Sequence, residues 1–160
     1  MTSPTPLPAA PSGVFNGSRH LFPVRIYFED TDLSGVVYHA NYLRYMERAR
    51  SDMLRLAGID QRRVNEAGEG AWAVTDLAIK YRLPARLDDE LIVESHMIAV
   101  RGASVQIGQS IRRGDDLLTL ATVTAAFVSP EGRARRQPEG WADHFRAIMT
   151  ADSNLTDPQE

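Results

Sequence analysis

A dense group of residues able to do chemistry occupies the stretch EDTDLSGVVYHAN, residues 29–41. A carboxylate can act as a base toward water or as a nucleophile. When the carboxylate lies just upstream of free backbone N–H groups, one loop offers both a base and hydrogen-bond donors that polarise a carbonyl group. Attack on a carbonyl carbon requires both. The residues of interest are Asp30, Asp32, Gly35, His39 and Asn41.

Each of these residues also has an ordinary structural explanation. Aspartates after a strand commonly accept hydrogen bonds from amides two residues on, and Asn41 is a candidate helix N-cap. The combination nevertheless favours a site, because Gly35 allows a positive φ. Residues 36–41, with the amides of Val37 and Tyr38, also lead into a helix start, where four donors lack intrahelical partners.

The candidate site lies between two segments with regular hydrophobic patterns. The upstream segment LFPVRIYF alternates, which predicts a half-buried strand. Downstream, apolar residues from Tyr42 to Ala57 recur at spacings of three and four, which predicts an amphipathic helix that ends near Gly58. The site is thus a loop held between a strand and a helix. The predicted apolar face of the strand comprises Phe22, Val24, Ile26 and Phe28.

Strand patterns dominate the rest of the chain. After the polar connector DQRRVNEAGEG, the segments AWAVTDLAIKYRL, LIVESHMIAV, ASVQIGQSIRR and LLTLATVTAAFV each predict a strand. Short connections with glycine predict antiparallel hairpins between the last three, and WADHFRAIM predicts a short helix. The predicted fold class is α+β, with an antiparallel sheet of about five strands and one long helix on one face.

Composition restricts the class of protein. A chain of 160 residues, 43% of them hydrophobic, suits one globular domain. We expect this domain over residues 21–149, between flexible tails at 1–20 and 150–160.

Charge and residue types exclude several functions. The net charge of −3 gives no case for nucleic-acid binding, and the absence of cysteine excludes a thiol nucleophile. The histidines lack metal-ligand spacing, so we expect neither metal nor cofactor. Without a signal peptide or membrane span, we expect a cytoplasmic protein.

The stretch YFEDTDLSGVVYHANYLRYMERAR resembles the signature of the hotdog-fold 4-hydroxybenzoyl-CoA thioesterase family, and most closely its YbgC-type acyl-CoA thioesterase branch. Two further motifs of that branch follow in order, PARLDD at residues 84–89 and RGxS from Arg101 to Ser104. The resemblance extends from Phe22 to Pro138. It implies a sheet wrapped around the long helix, an acyl-CoA substrate, and homodimers or homotetramers with sites at the interface.

The resemblance also implies roles for individual residues. Asp32 matches the catalytic carboxylate of the family, and His39 matches a position whose backbone amide polarises the thioester carbonyl. Where 4-hydroxybenzoyl-CoA enzymes carry an aromatic residue and proline, this chain has His39 and Ala40, so an aromatic substrate is not implied. We expect substrate contacts from Gly35, Val37, Tyr38, Asn41, Arg101 and Ser104.

The phosphates of CoA require basic side chains. The RGxS motif favours Arg101, and further candidates are Arg112, Arg113, Arg133, Arg135 and Arg136. Little else is needed for hydrolysis, because a thiol with a pKa of about 8.5 departs as thiolate without a strong general acid.

Two other functions are compatible with this resemblance. YbgC-type proteins are associated with the Tol–Pal envelope system and with acyl-carrier-protein-dependent lipid enzymes. The chain could therefore be an interaction module for such partners, in which Asp32 is incidental. A hotdog dehydratase or hydratase would need an Asp/His pair on a different motif, which this chain lacks. The sequence leaves open the acyl-chain length, dimer or tetramer, and whether Asp32 acts as nucleophile or general base.

Overall fold

A computed structural model describes residues 1–151. Their elements are β1 (Val14–Asn16), β2 (Arg19–Arg25), a 3-10 turn (Phe28–Asp30), α1 (Asn41–Leu56), α2 (Gln61–Glu66), β3 (Ala71–Tyr81), β4 (Glu90–Val100), β5 (Ser104–Arg113), β6 (Asp116–Val128) and α3 (Trp141–Met149). The six strands of these residues form one antiparallel sheet in the order β1-β2-β4-β5-β6-β3. Together with the helices this gives the α+β class predicted from the sequence.

The apolar stripe of α1 packs against the inner face of the sheet. Met46, Ala49 and Met53 are completely buried on this helix, and each large apolar side chain buried in this way contributes roughly 1.5–3 kcal/mol. Gly58 follows the helix with a φ of +83°, the left-handed conformation that commonly ends a helix. The predicted long helix is therefore confirmed, and its first residue lies directly after the candidate loop.

An aromatic cluster closes the far end of α1. Trp72 of β3, Phe127 of β6 and Trp141 and Phe145 of α3 contact one another with ring centroids 5.5–6.2 Å apart. The predicted C-terminal helix is thus confirmed, and it covers the end of the sheet that lies opposite the candidate loop.

The sheet has one more strand than predicted. β1 pairs with β2 through a tight hairpin in which Asn16 lies opposite Arg19, and Gly17 has a φ of +60°. Asn-Gly is a strong hairpin signal, which the predicted tail over residues 1–20 overlooked. Ordered strand therefore begins at Val14, inside that segment. Most of the other predicted tail, residues 152–160, lies outside the described residues.

Two further boundaries differ from the sequence analysis. β2 ends at Arg25, and Phe28 begins the 3-10 turn with 82% of its surface exposed, so its predicted place on the core face is wrong. The polar connector contains α2, whose N-cap Asp60 accepts a hydrogen bond from the amide of Arg63 at 3.0 Å. This short helix buries only Val64, which left too weak a periodic signal to predict. No helix in residues 1–151 is long and apolar enough to cross a membrane.

Candidate active site

Backbone hydrogen bonds close residues 32–36 into a tight loop. The amide of Asp32 donates to the carbonyl of Val36, and the amide of Gly35 donates to the carbonyl of Asp32, each at 3.0 Å. Gly35 has a φ of +80°, and a Cβ there would meet no heavy atom within 4 Å. The backbone conformation, rather than a close approach, therefore requires glycine at this position.

Asp30 fixes this loop to the start of α1. Its carbonyl accepts hydrogen bonds from the amide of Tyr38 at 2.9 Å and from the side chain of Asn41 at 2.8 Å. Asn41 is buried and is the first residue of α1, while the N-cap position belongs to Ala40. The prediction that Asn41 caps the helix is wrong, because its side chain bridges to the loop instead.

Asp32 is exposed and keeps part of its carboxylate free. One oxygen, Oδ1, accepts the amide of Ser34 at 2.8 Å and the Ser34 hydroxyl at 2.5 Å. Within residues 1–151 no group donates to the other oxygen, Oδ2. The Ser34 hydroxyl, followed by the Ser34 amide, lowers the pKa of Asp32 below its ordinary value of 3.8. Asp32 therefore forms the turn expected of a loop aspartate and still presents an ionised oxygen to solvent.

The structure identifies which amides near α1 are free. The amide of Val37 donates to the carbonyl of Ala85 at 2.9 Å, and those of Tyr38 and Asn41 are also engaged in the fold. These three amides are thus not available to a ligand. Within the described part of the chain, the amides of His39 and Ala40 make no hydrogen bond, so both remain available to a carbonyl oxygen.

Both free amides belong to peptide groups whose orientation is fixed. The carbonyl of Tyr38, in the same peptide group as the His39 amide, accepts the amide of Asn41 at 2.9 Å. The carbonyl of His39, in the same peptide group as the Ala40 amide, accepts the Tyr81 hydroxyl at 2.8 Å. Sequence reasoning missed Tyr81 because it lies 42 positions from His39, and no local pattern joins the two.

The side chains of the loop are open to solvent. The rings of Tyr38 and His39 are exposed and lie with centroids 4.5 Å apart. The electrostatic interaction with His39 is the smallest contribution to the lowered pKa of Asp32. Residues 1–151 contain no cluster of three or more His, Asp or Glu side chains that could hold a metal ion.

The predicted nucleotide contacts lie at the other end of the sheet. The loop carrying Asp32 lies beside residues 85–89, directly before β4, whereas Arg101 and Ser104 flank the turn after β4. The 11 residues of β4 separate the two by about 35 Å along the strand. One chain therefore does not bring Arg101 and Ser104 to Asp32.

Arg113, another predicted phosphate ligand, does lie at the loop end of the sheet. It donates to Asp89 at 2.8 Å and to the carbonyl of Pro84 at 3.2 Å. The hydrogen bond to Asp89 raises the pKa of Arg113. Burial alone would raise the pKa of Asp89, but hydrogen bonds from the Arg86 amide and from Arg113 lower it overall. Arg113 thus holds the segment before β4 and is already paired.

Comparisons with known proteins agree with this geometry. A family model described as "Thioesterase superfamily" matches residues 34–120. The chain is 46% identical to the acyl-CoA thioesterase YbgC of Haemophilus influenzae, over 67% of this chain and 79% of the relative. It is 41% identical to the acyl-CoA thioester hydrolase YbgC of Escherichia coli O157:H7, over 78% of this chain and 94% of the relative.

The fold also matches solved structures. A probable thioesterase from Bartonella henselae superimposes with a TM-score of 0.72 at 36% identity, covering 75% of this chain and 99% of that one. The sheet order and the central helix agree with this match, so the predicted hotdog fold is confirmed.

Proposed function

Because the chain belongs to the thioesterase superfamily, we propose that it hydrolyses acyl-CoA thioesters to the free acid and CoA, with Asp32 as base or nucleophile. One observation carries this proposal. The same short loop holds the ionised carboxylate of Asp32, whose Oδ2 accepts no hydrogen bond from the described residues, and the amides of His39 and Ala40, which have fixed orientations and no hydrogen-bond partner there. The names of the YbgC relatives support acyl-CoA as the substrate class.

The thioester carbonyl oxygen binds to the amides of His39 and Ala40. Both amides lie at the start of α1, where the helix dipole also favours negative charge. Because Asn41 and Tyr81 fix the two peptide groups, the donors need no reorganisation as the oxyanion forms. Such preorganised donors are each worth about 10²–10³ in kcat.

Asp32 then supplies the attacking group in one of two ways. As general base it takes a proton from water while the hydroxyl adds to the carbonyl carbon. As nucleophile it attacks that carbon itself, and water later hydrolyses the resulting anhydride. In both routes the tetrahedral intermediate collapses by breaking the C–S bond. The thiolate leaves unaided because the pKa of a thiol is about 8.5.

The separation of Arg101 from Asp32 supports a dimer in which each site draws on two chains. β3 is an edge strand of 11 residues, and long unpaired edges are normally paired or covered. Antiparallel pairing of two β3 strands places the Ala71 end of one beside the Tyr81 end of the other. Arg101 of the partner subunit then approaches the loop that carries Asp32.

Thiol release from a panel of short, long and aromatic acyl-CoAs tests the proposal, with Asp32→Asn measured beside the wild type. The substitution keeps the size of the side chain but removes its charge. We expect kcat to fall by about 10²–10⁴, the usual effect of losing a general base, with unchanged thermal unfolding because the carboxylate is exposed. Asp143→Asn, which removes the charge of an exposed aspartate on α3 at the other end of the sheet, serves as the control.

Two outcomes would contradict the proposal. If Asp32→Asn keeps more than about a third of the wild-type kcat, Asp32 takes no part in the reaction. If the wild-type protein releases no thiol from any acyl-CoA in the panel, the chain is better explained as an interaction module.

A further inference from the structure

The segment of residues 84–89, directly before β4, lies against both ends of the candidate loop. Before the loop, the amide of Ile26 donates to the carbonyl of Asp89, and the amide of Asp88 donates to the carbonyl of Ile26, each at 3.0 Å. Asp88 has a φ of +68°, which is uncommon for a residue other than glycine. The segment therefore adopts a costly backbone conformation at the point where it meets the chain before the loop.

The same segment holds the chain after the loop. The amide of Val37 donates to the carbonyl of Ala85 at 2.9 Å, and Val36 forms an antiparallel bridge with Arg86. Within residues 31–40 only Val37 is buried. Because the other residues of the loop have little packing of their own, the backbone hydrogen bonds to this segment set the position of the loop.

The position of Asp32 depends directly on the second of these attachments. The amide of Asp32 donates to the carbonyl of Val36 at 3.0 Å, so a shift of Val36 also moves the carboxylate. The free amides of His39 and Ala40 follow two residues after Val37, the residue that is bound to the segment. A displacement of about 1 Å at a reacting group can lower the rate of a reaction by about 10². The segment is therefore placed to control the geometry of both halves of the candidate site.

Arg113 of β5 fixes the segment itself. Its Nη1 donates to Oδ2 of Asp89 at 2.8 Å and to the carbonyl of Pro84 at 3.2 Å, which are the last and the first residue of the segment. The same oxygen of Asp89 also accepts the amide of Arg86 at 2.8 Å. One guanidinium group on a central strand of the sheet thus joins the two ends of the segment.

We propose that Arg113 is a positioning residue that acts through residues 84–89 on the loop carrying Asp32. The inference rests on the proposed function, because a positioning role requires that Asp32 takes part in the reaction. Arg113 does not touch the substrate; it keeps the carboxylate and the free amides in the geometry that the transition state needs. Loss of Arg113 therefore lowers kcat and leaves the binding of the thioester nearly unchanged.

Hydrolysis of an acyl-CoA and of the matching acyl-pantetheine tests this role in Arg113→Met. Methionine keeps the unbranched aliphatic part of the side chain but cannot donate to Asp89 or Pro84. We expect kcat to fall about 10- to 100-fold for both thioesters, with KM nearly unchanged. A higher KM for acyl-CoA alone, with kcat unchanged, would overturn the inference, because it would show that Arg113 contacts the nucleotide end of the substrate.

Three further variants show whether Arg113 acts through Asp89. Arg113→Lys keeps the charge but not the planar fork, so it should recover part of kcat. Asp89→Asn should lower kcat in the same direction, and the double variant with Arg113→Met should fall little further, because the two residues act as one unit. Fully additive effects would overturn this path. Arg146→Met removes an arginine that is paired with Asp143 on α3, and it should leave both kcat and KM unchanged.

Hydrogen exchange in the wild type and in Arg113→Met separates this inference from the proposed function, because it needs no hydrolysis. The amides of Asp32, Gly35 and Val37 should exchange about tenfold faster in the variant, while amides in the middle of α1 should exchange as in the wild type. Unchanged exchange at these three amides would overturn the inference, whether or not acyl-CoA is hydrolysed. Equal acceleration in the loop and in α1 would also overturn it, since that result shows a general loss of stability.

Discussion

At the scale of single residues, the pKa of Asp32 is the property that suits it to its proposed role. The Ser34 hydroxyl is the largest cause of its lowering. The carboxylate is therefore ionised throughout the neutral range, and it takes up a proton only at pH values below 3.8. The same bonds that form an ordinary turn thus keep the candidate base charged.

Ser34→Ala tests this coupling. Loss of the hydroxyl removes the main cause of the lowered pKa, so the pKa of Asp32 should rise toward its ordinary value. Since the unprotonated form is the active one, the acid limb of kcat/KM should move to higher pH, and the plateau at neutral pH should remain. Ser18→Ala in the β1–β2 turn is the control. An acid limb that stays in place in Ser34→Ala would assign that limb to another group.

At the scale of elements, a buried polar cluster joins the N-terminal segment, β2 and α1. His20 of β2 is completely buried, and its Nε2 lies 2.7 Å from Oδ2 of Asp52 on α1. Asp52 also accepts the amide of Gly13 at 2.8 Å and the guanidinium of Arg55 at 2.5 Å. Burial lowers the pKa of His20 below 6.5, against the opposing effect of Asp52. At neutral pH His20 is therefore uncharged in the folded protein.

This cluster should make stability depend on pH. The unfolded chain takes up a proton on His20 near its ordinary pKa of 6.5, while the folded chain does so only at lower pH. The stabilisation is therefore complete above pH 6.5 and decreases as the pH falls below it. Burial would raise the pKa of Asp52, but its hydrogen bonds lower it overall, so Asp52 adds its own dependence only below 3.8.

Urea unfolding between about pH 7.5 and about pH 5 measures this dependence. His20→Gln keeps a donor near the Nε2 position but does not titrate, so its unfolding free energy should change less with pH than that of the wild type. His144→Gln, at an exposed position on α3, should behave like the wild type. Identical slopes in His20→Gln and wild type would show that His20 does not control the acid stability.

At the scale of the whole molecule, the distance between Asp32 and Arg101 determines how a complete site can form. About 35 Å of strand separates them within a chain, so the proposed site requires two copies. β3 is free to pair along its length, and Val74 and Tyr81 on it are 49% and 46% exposed. We expect a dimer that persists at micromolar concentration, with sites related by a twofold axis.

Mixed dimers of Asp32→Asn and Arg101→Ala chains distinguish a shared site from a site within one chain. If Asp32 and Arg101 come from different chains, one site of the mixed dimer contains neither substitution and the other contains both. Such a dimer should show the wild-type KM with about half of the wild-type kcat, because a twofold dimer has two equivalent sites. If both residues came from one chain, no wild-type site would form, and KM would equal that of Arg101→Ala. An active monomer in sedimentation would also contradict the interface site.

Local patterns determined much of this structure. The long helix, the four strands after it and the C-terminal helix follow from hydrophobic periods within each segment, which depend only on neighbours in sequence. The candidate loop was found in the same way, from the types and spacing of its residues. Asn16 and Gly17 carried a hairpin signal as well, but it was overlooked because residues 1–20 were interpreted as a flexible tail from their composition.

Only the tertiary structure decided which of these groups are available. Hydrogen bonds between distant residues engage the amides of Val37 and Tyr38 and leave those of His39 and Ala40 free, and Tyr81 orients one of them from 42 positions away. The place of Arg101 opposite the loop follows from strand order, which no local pattern specifies. These features depend on contacts between residues that are distant in sequence. The local pattern of a segment does not specify which distant residues it will contact in the folded protein.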